Sequence, residues 1–265
     1  MEYYFLPPFV VATDCDFGVI FVSISVLLQL QEEFERELGP ILEQNDGLPH
    51  LRLCLYANEA EYRQATTDLL DYRLLNSLGC YRRPTNTLYL YNRGLALGQA
   101  QLGRFTDDAP RAVLRHEGTH QLAADLQVPT PFNTEVFWLD EGLAQCFESS
   151  PPGDPLPGRL AVLAAARQAG QLIPWEELLL LAPSDLASDY QRERLAYAQS
   201  WLLVRTLMGR TWRPAFFRWL LLARQQGPAR LEPQAVINFL NTLGTTASKL
   251  SEELDKQIPR PAPVP

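Results

Sequence analysis

The chain has 265 residues, 46% hydrophobic and 20% charged, enough to bury one substantial core or two lobes sharing a cleft. Its formal net charge is -8, the wrong sign for work on phosphate backbones or anionic lipid surfaces, so neither nucleic acid nor membrane is an expected partner. The four cysteines, Cys15, Cys54, Cys80 and Cys146, contain no C-x-x-C pair, which argues for free thiols rather than a thiolate metal site or a disulfide framework.

Along the chain, the uncharged run Phe17 to Leu30 is shorter than the ~20 apolar residues of a membrane span and lacks a basic leader. It reads as a buried helix or strand, and the charged stretch Gln31 to Leu38 after it as helix. No signal peptide is visible, so the expectation is a soluble protein of the cytoplasm unless a leader has been removed. His50, beside Pro49, reads as a surface or capping residue. Leu51 to Tyr56 alternates like a strand. Asn58 to Leu70 reads as a helix, with Asn58 as cap and Glu61 three residues on. Thr87 to Tyr91 reads as a second strand, bounded by Pro84, Asn86, Asn92 and Gly94; at a sheet edge it would offer a place for an extended peptide to pair.

From Pro110 onward the pattern turns helical: Arg111 to Leu126, Val136 to Glu148, Leu160 to Ala169, Leu195 to Met208, Pro214 to Gln225 and Pro233 to Leu243. The expected fold is α+β and forms a single domain over 1–255. A small α/β lobe with a mixed sheet (1–128) ends in the active-site helix, and a mainly helical lobe (129–255) follows. Trp201, Trp212 and Trp219 read as its core. Four prolines between Pro259 and Pro265 point to a Pro-rich disordered tail over 256–265.

His116-Glu117-Gly118-Thr119-His120 matches H-E-x-x-H inside one of these helices. Positions four apart stack on one helix face, so both imidazoles can reach one ion while Glu117 projects beside them. Only three histidines occur in the chain, and two of them fall in this pentapeptide. A zinc ion needs a third protein ligand and keeps its fourth position for water or substrate. Glu141, 21 residues beyond His120 on the next helix, is the candidate. Its neighbour Asp140 is rotated by about 100 degrees and would face elsewhere. Asp125, Asp140 and Gln145 are available to take the second nitrogen of a ligand histidine.

His116-Glu117-x-x-His120-Gln121 followed by Trp138-Leu-x-Glu141-Gly142-Leu143-Ala144 resembles the gluzincin branch of the peptidase MA clan. More narrowly, it resembles a bacterial family of uncharacterised peptidase MA-like domains. The likeness covers most of residues 40 to 225, including Leu51 to Tyr56, Leu88 to Tyr91 and Tyr197 to Arg205. It implies a zincin fold, one zinc ion on His116, His120 and Glu141, Glu117 as general base, and a peptide or protein substrate. The chain departs from two better-known groups, having neither a G-x-M-E-N exopeptidase signature nor an N-A-x-W strand.

The expected activity is therefore that of a zinc metallopeptidase. Glu117 would move the water proton, and Tyr197, with Tyr190 as a rival, would donate to the developing oxyanion. The alternatives are a zinc-binding module of the same fold without hydrolytic activity, and a helical interaction domain without metal. The intact base Glu117 speaks against the former, since a metal staple needs no base.

Overall fold

The computed structural model describes residues 1–42, 51–67, 78–92, 110–129, 136–186, 189–227 and 229–260. The fold is α+β, a mixed sheet of five strands followed by a mostly helical region. Its residues pack as two compact units, Met1–Val128 with Phe147–Pro152, and Pro129–Cys146 with Gly153–Pro265.

In the first unit, strands β1 (Glu2–Leu6), β2 (Phe9–Thr13), β3 (Leu51–Tyr56), β4 (Gly79–Arg82) and β5 (Thr87–Tyr91) assemble in the order β1-β2-β3-β5-β4. The central strands β2, β3 and β5 run parallel, and both edges, β1 and β4, are antiparallel to their neighbours. The strand Thr87–Tyr91 is thus interior, and the sheet edge beside it is β4. Parallel neighbours need a crossover, and helix α1 (Phe17–Leu38) lies between β2 and β3 in the chain, as α2 (Glu59–Thr66) lies between β3 and β5.

Helix α1 is one continuous element of 22 residues, running through the division at Gln31 between the apolar run and the charged stretch. Its buried positions Val19, Val22, Val26, Leu30, Glu33 and Phe34 recur at helical spacing across that division. By length and composition α1 can cross a membrane. Here its buried stripe packs on α3 (Pro110–Asp125), where a Cβ on Gly118 would come within 2.8 Å of both Leu27 and Leu30. Helix α2 begins as expected, with Asn58 Oδ1 accepting from the Glu61 N–H at 3.0 Å. It ends at Thr66, and residues 68–70 of the expected helix lie outside the described residues. So does His50.

The second unit holds helices α4 (Phe137–Cys146), α5 (Pro157–Gln168), α6 (Trp175–Leu178), α7 (Tyr190–Leu207), α8 (Arg213–Gln226), α9 (Pro233–Leu243) and α10 (Ala247–Gln257). Trp138, Trp219 and Phe239 meet in its core, with ring centroids 4.6 to 6.0 Å apart. Trp201 is fully buried and Trp212 half-buried. Helices α4 and α7 are in close contact at Gly142, where a Cβ would stand 2.5 Å from the carbonyl oxygen of Ser200. The expected tail is shortened from its start, because α10 runs to Gln257 and Ile258 is buried, its carbonyl taking a bond from Arg167 at 2.9 Å. Residues 261–265 lie outside the described residues.

Candidate metal centre

Pro110 opens α3, a position where its fixed φ suits the helix and its missing N–H costs nothing. Four residues make slightly more than one turn, so His116 and His120 share a face. Their rings meet edge to face at 5.0 Å, and the two Nε2 atoms lie 3.3 Å apart. Nδ1 of His116 is 2.8 Å from Oε1 of Glu148, which is buried. A carboxylate there draws the ring proton to Nδ1 and leaves the lone pair on Nε2, the form that binds metal.

Ligand atoms of His116, His120 and Glu141 lie within 4.8 Å of one another, each side chain half-buried. The group can hold a metal ion, and Glu141 rather than Asp140 is its carboxylate. The spacing of the nitrogens tests the fit. Two ligands about 2.0–2.1 Å from one ion, at the tetrahedral angle, stand about 3.3–3.4 Å apart. The observed 3.3 Å agrees.

Glu117 is turned toward the sheet edge, where its Oε2 accepts the backbone N–H of Tyr81 in β4 at 2.8 Å. Its charge is felt nearby: burial, and then Glu117, push the Cys80 thiol up to about 12. Burial above all, with Cys80 and Glu117 contributing, also raises the Tyr62 phenol. All four cysteines are free, Cys80 and Cys146 buried and Cys15 and Cys54 half-buried.

The residue after the second histidine fixes the helix to the sheet. Gln121 Nε2 donates to the carbonyls of Arg52, in β3, and Asn86, just before β5, at 3.1 and 2.9 Å. Asn86 sits in the left-handed region at φ 46°, and its amide donates to Asp125 at 2.6 Å. Asp125 therefore serves the β4–β5 turn. Gln145, another candidate partner for a ligand histidine, donates to the Tyr197 carbonyl at 3.0 Å and the Glu141 carbonyl at 3.3 Å.

The partner found by His116 is a residue the sequence reading missed. Glu148 lies seven positions beyond Glu141, two helical turns on, a spacing that could have drawn attention to it. Helix α4 stops at Cys146, short of the expected Glu148. Beyond that point the carbonyls of Phe147 and Ser149 bond to the buried Arg115, at 2.7 Å from Nε and 2.9 Å from Nη2. Arg115 also pairs with Glu33 on α1. Burial would raise the Glu33 carboxyl, but hydrogen bonds from Ser150 and Arg115 and the guanidinium charge outweigh it and hold the group below its ordinary range.

Tyr197 lies well inside α7, which begins at Tyr190 rather than at Leu195. It is half-buried and packs edge-on against Phe137 with centroids 4.9 Å apart. Tyr190, its rival, is 67% exposed.

Residues 111–229 match a family described as "Protein of unknown function (DUF1570)". The matched stretch contains His116, Glu117, His120, Glu141 and Tyr197. No curated protein matches the sequence.

Proposed function

We propose that the protein is a zinc-dependent metallohydrolase of the gluzincin type, a peptidase whose metal is held by His116, His120 and Glu141. The observation that carries this reading is the pair of Nε2 atoms 3.3 Å apart, beside a glutamate anchored to the edge strand. The likeness of H-E-x-x-H-Q and W-L-x-E-G-L-A to the peptidase MA clan supports it. The donor set, two imidazoles and one carboxylate, suits zinc in a hydrolytic site with an open position.

Zinc, when bound, supplies a Lewis acid for the scissile carbonyl and lowers the pKa of water to about 7. Glu148 holds the His116 proton at Nδ1 and so orients that ring. Glu117 takes the proton of the attacking water and delivers it to the leaving amine; its tie to Tyr81 fixes the carboxylate for both transfers. Tyr197 donates its phenolic hydrogen to the developing oxyanion.

Metal analysis and a peptide-library digest test the reading. The expected results are about one zinc per chain, cleavage that a chelator abolishes, and loss of both in His116→Ala and His120→Ala. Glu117→Gln keeps the metal and loses cleavage. Glu141→Ala weakens zinc binding far more than Asp140→Ala. Cleavage by Glu117→Gln at the parent's rate would overturn the mechanism, and stoichiometric zinc without any cleavage would favour a binding module.

A further inference from the structure

Arg115 immediately precedes the ligand His116, yet its side chain is 1% exposed and paired with Glu33, itself 8% exposed. Burying two charges costs desolvation that a well-packed apolar pair would avoid, so the pair calls for a purpose beyond stability. Its contacts converge on one short segment. Arg115 bonds the carbonyls of Phe147 and Ser149, the two residues flanking Glu148. Glu33 accepts from the Ser150 hydroxyl at 2.6 Å, and Gln29 donates to that same hydroxyl at 2.8 Å. Phe147 packs on Phe34, one residue from Glu33, at 5.1 Å. The segment is thus anchored on both sides of Glu148, the residue whose carboxylate meets His116.

We propose that the Glu33–Arg115 pair is a positioning device for the metal centre. By gripping the backbone on either side of Glu148 it sets that carboxylate against Nδ1 of His116 and so presents Nε2 as a lone pair. Glu33 and Arg115 touch neither metal nor substrate in this scheme and act through Glu148. The purpose rests on the metal-site reading above, whereas the geometry does not. An aliphatic residue at position 115 would leave two carbonyls without their donors, and Glu148 would lose its fixed aim.

The test reads the His116 tautomer and zinc affinity separately, on the full chain. In metal-free protein, long-range ¹⁵N–¹H correlation spectra of the parent should show His116 protonated at Nδ1. Glu33→Gln and the milder Ser150→Ala should both move it toward the Nε2–H form, as Glu148→Ala does. Zinc affinity, measured by competition with a chelator, should fall about 10- to 100-fold in Glu148→Ala. It should fall by at least about 5-fold in Glu33→Gln, and by less than about 2-fold more when Glu33→Gln is added to Glu148→Ala, as expected of residues acting through one another. A folded Glu33→Gln that keeps the parent's tautomer, or equal losses of affinity in both backgrounds, would overturn the proposal. Should Glu33→Gln not fold, the tautomer in Ser150→Ala decides. Variants that show the tautomer shifts, in a protein whose parent takes up no zinc, would uphold the positioning and overturn the metal reading instead.

Discussion

The backbone N–H of Tyr81 donates to Oε2 of Glu117 at 2.8 Å, tying an edge strand to the glutamate between the two histidines. That bond separates a structural duty from a chemical one. A glutamine carbonyl can accept the same N–H, while alanine leaves it unmet at a half-buried position. Glu117→Gln should therefore unfold in urea near the parent's midpoint, and Glu117→Ala should be less stable by about 1 kcal/mol. Equal stabilities for the two variants would show that the bond does not anchor the side chain.

Two glycines in the motifs differ in what surrounds them. A Cβ at Gly142 would meet the backbone oxygen of Ser200 at 2.5 Å, whereas at Gly118 it would meet the Cδ2 ends of Leu27 and Leu30 at 2.8 Å. Leucine ends can rotate; a helix backbone must move as a body. Gly142→Ala should cost about 2–3 kcal/mol and Gly118→Ala about 1 kcal/mol. Thermal unfolding of the two variants checks the ranking.

Glu33 gives stability a pH signature. Its folded pKa lies below its ordinary value, so its contribution is present above about pH 4.5 and disappears as pH falls through the folded pKa. Acidification should weaken the parent through that window, and Glu33→Gln should flatten this part of the curve. At neutral pH the same variant leaves Arg115 buried without its carboxylate, which should cost about 3–5 kcal/mol. Denaturant titrations between pH 3 and 7 measure both effects.

Thiol chemistry reports on the sheet. The Cys80 thiol is pushed up to about 12, and burial also raises Cys15 and Cys54. In native protein at pH 8, iodoacetamide should modify the half-buried Cys15 and Cys54 slowly and leave Cys80 and Cys146 for last. Denaturant should bring all four to the rate of a free thiol, as mass spectrometry of the modified peptides would record.

Sequence pattern revealed β3, β5 and most of the helices because their apolar residues recur at the period of their element. It did not reveal β4, whose Gly79-Cys-Tyr-Arg82 has neither alternation nor β-branched residues and is held by pairing with β5. Nor did it show that the charged Glu33 of α1 is buried, a position explained by tertiary partners, Arg115 and Ser150. Of the cluster that could hold a metal ion, the two histidines were legible because helical geometry dictates their spacing. Glu148 was not, because it lies beyond the end of α4, where tertiary bonds to Arg115 replace the helical pattern. The true place of Tyr197 within α7 was hidden by the polar first turns, whose start is a cap at Asp189 rather than an apolar residue.

The two bonds from Gln121 to the carbonyls of Arg52 and Asn86 bear on whether such a centre can be transplanted. The pentapeptide supplies the imidazoles and the glutamate, but their register against the strands comes from the sixth residue and from two backbone positions far away in the chain. Grafted onto a foreign helix, His116 to His120 would carry these side chains without the ruler that aligns them, and a graft meant to keep their geometry must bring along the left-handed turn at Asn86 as well.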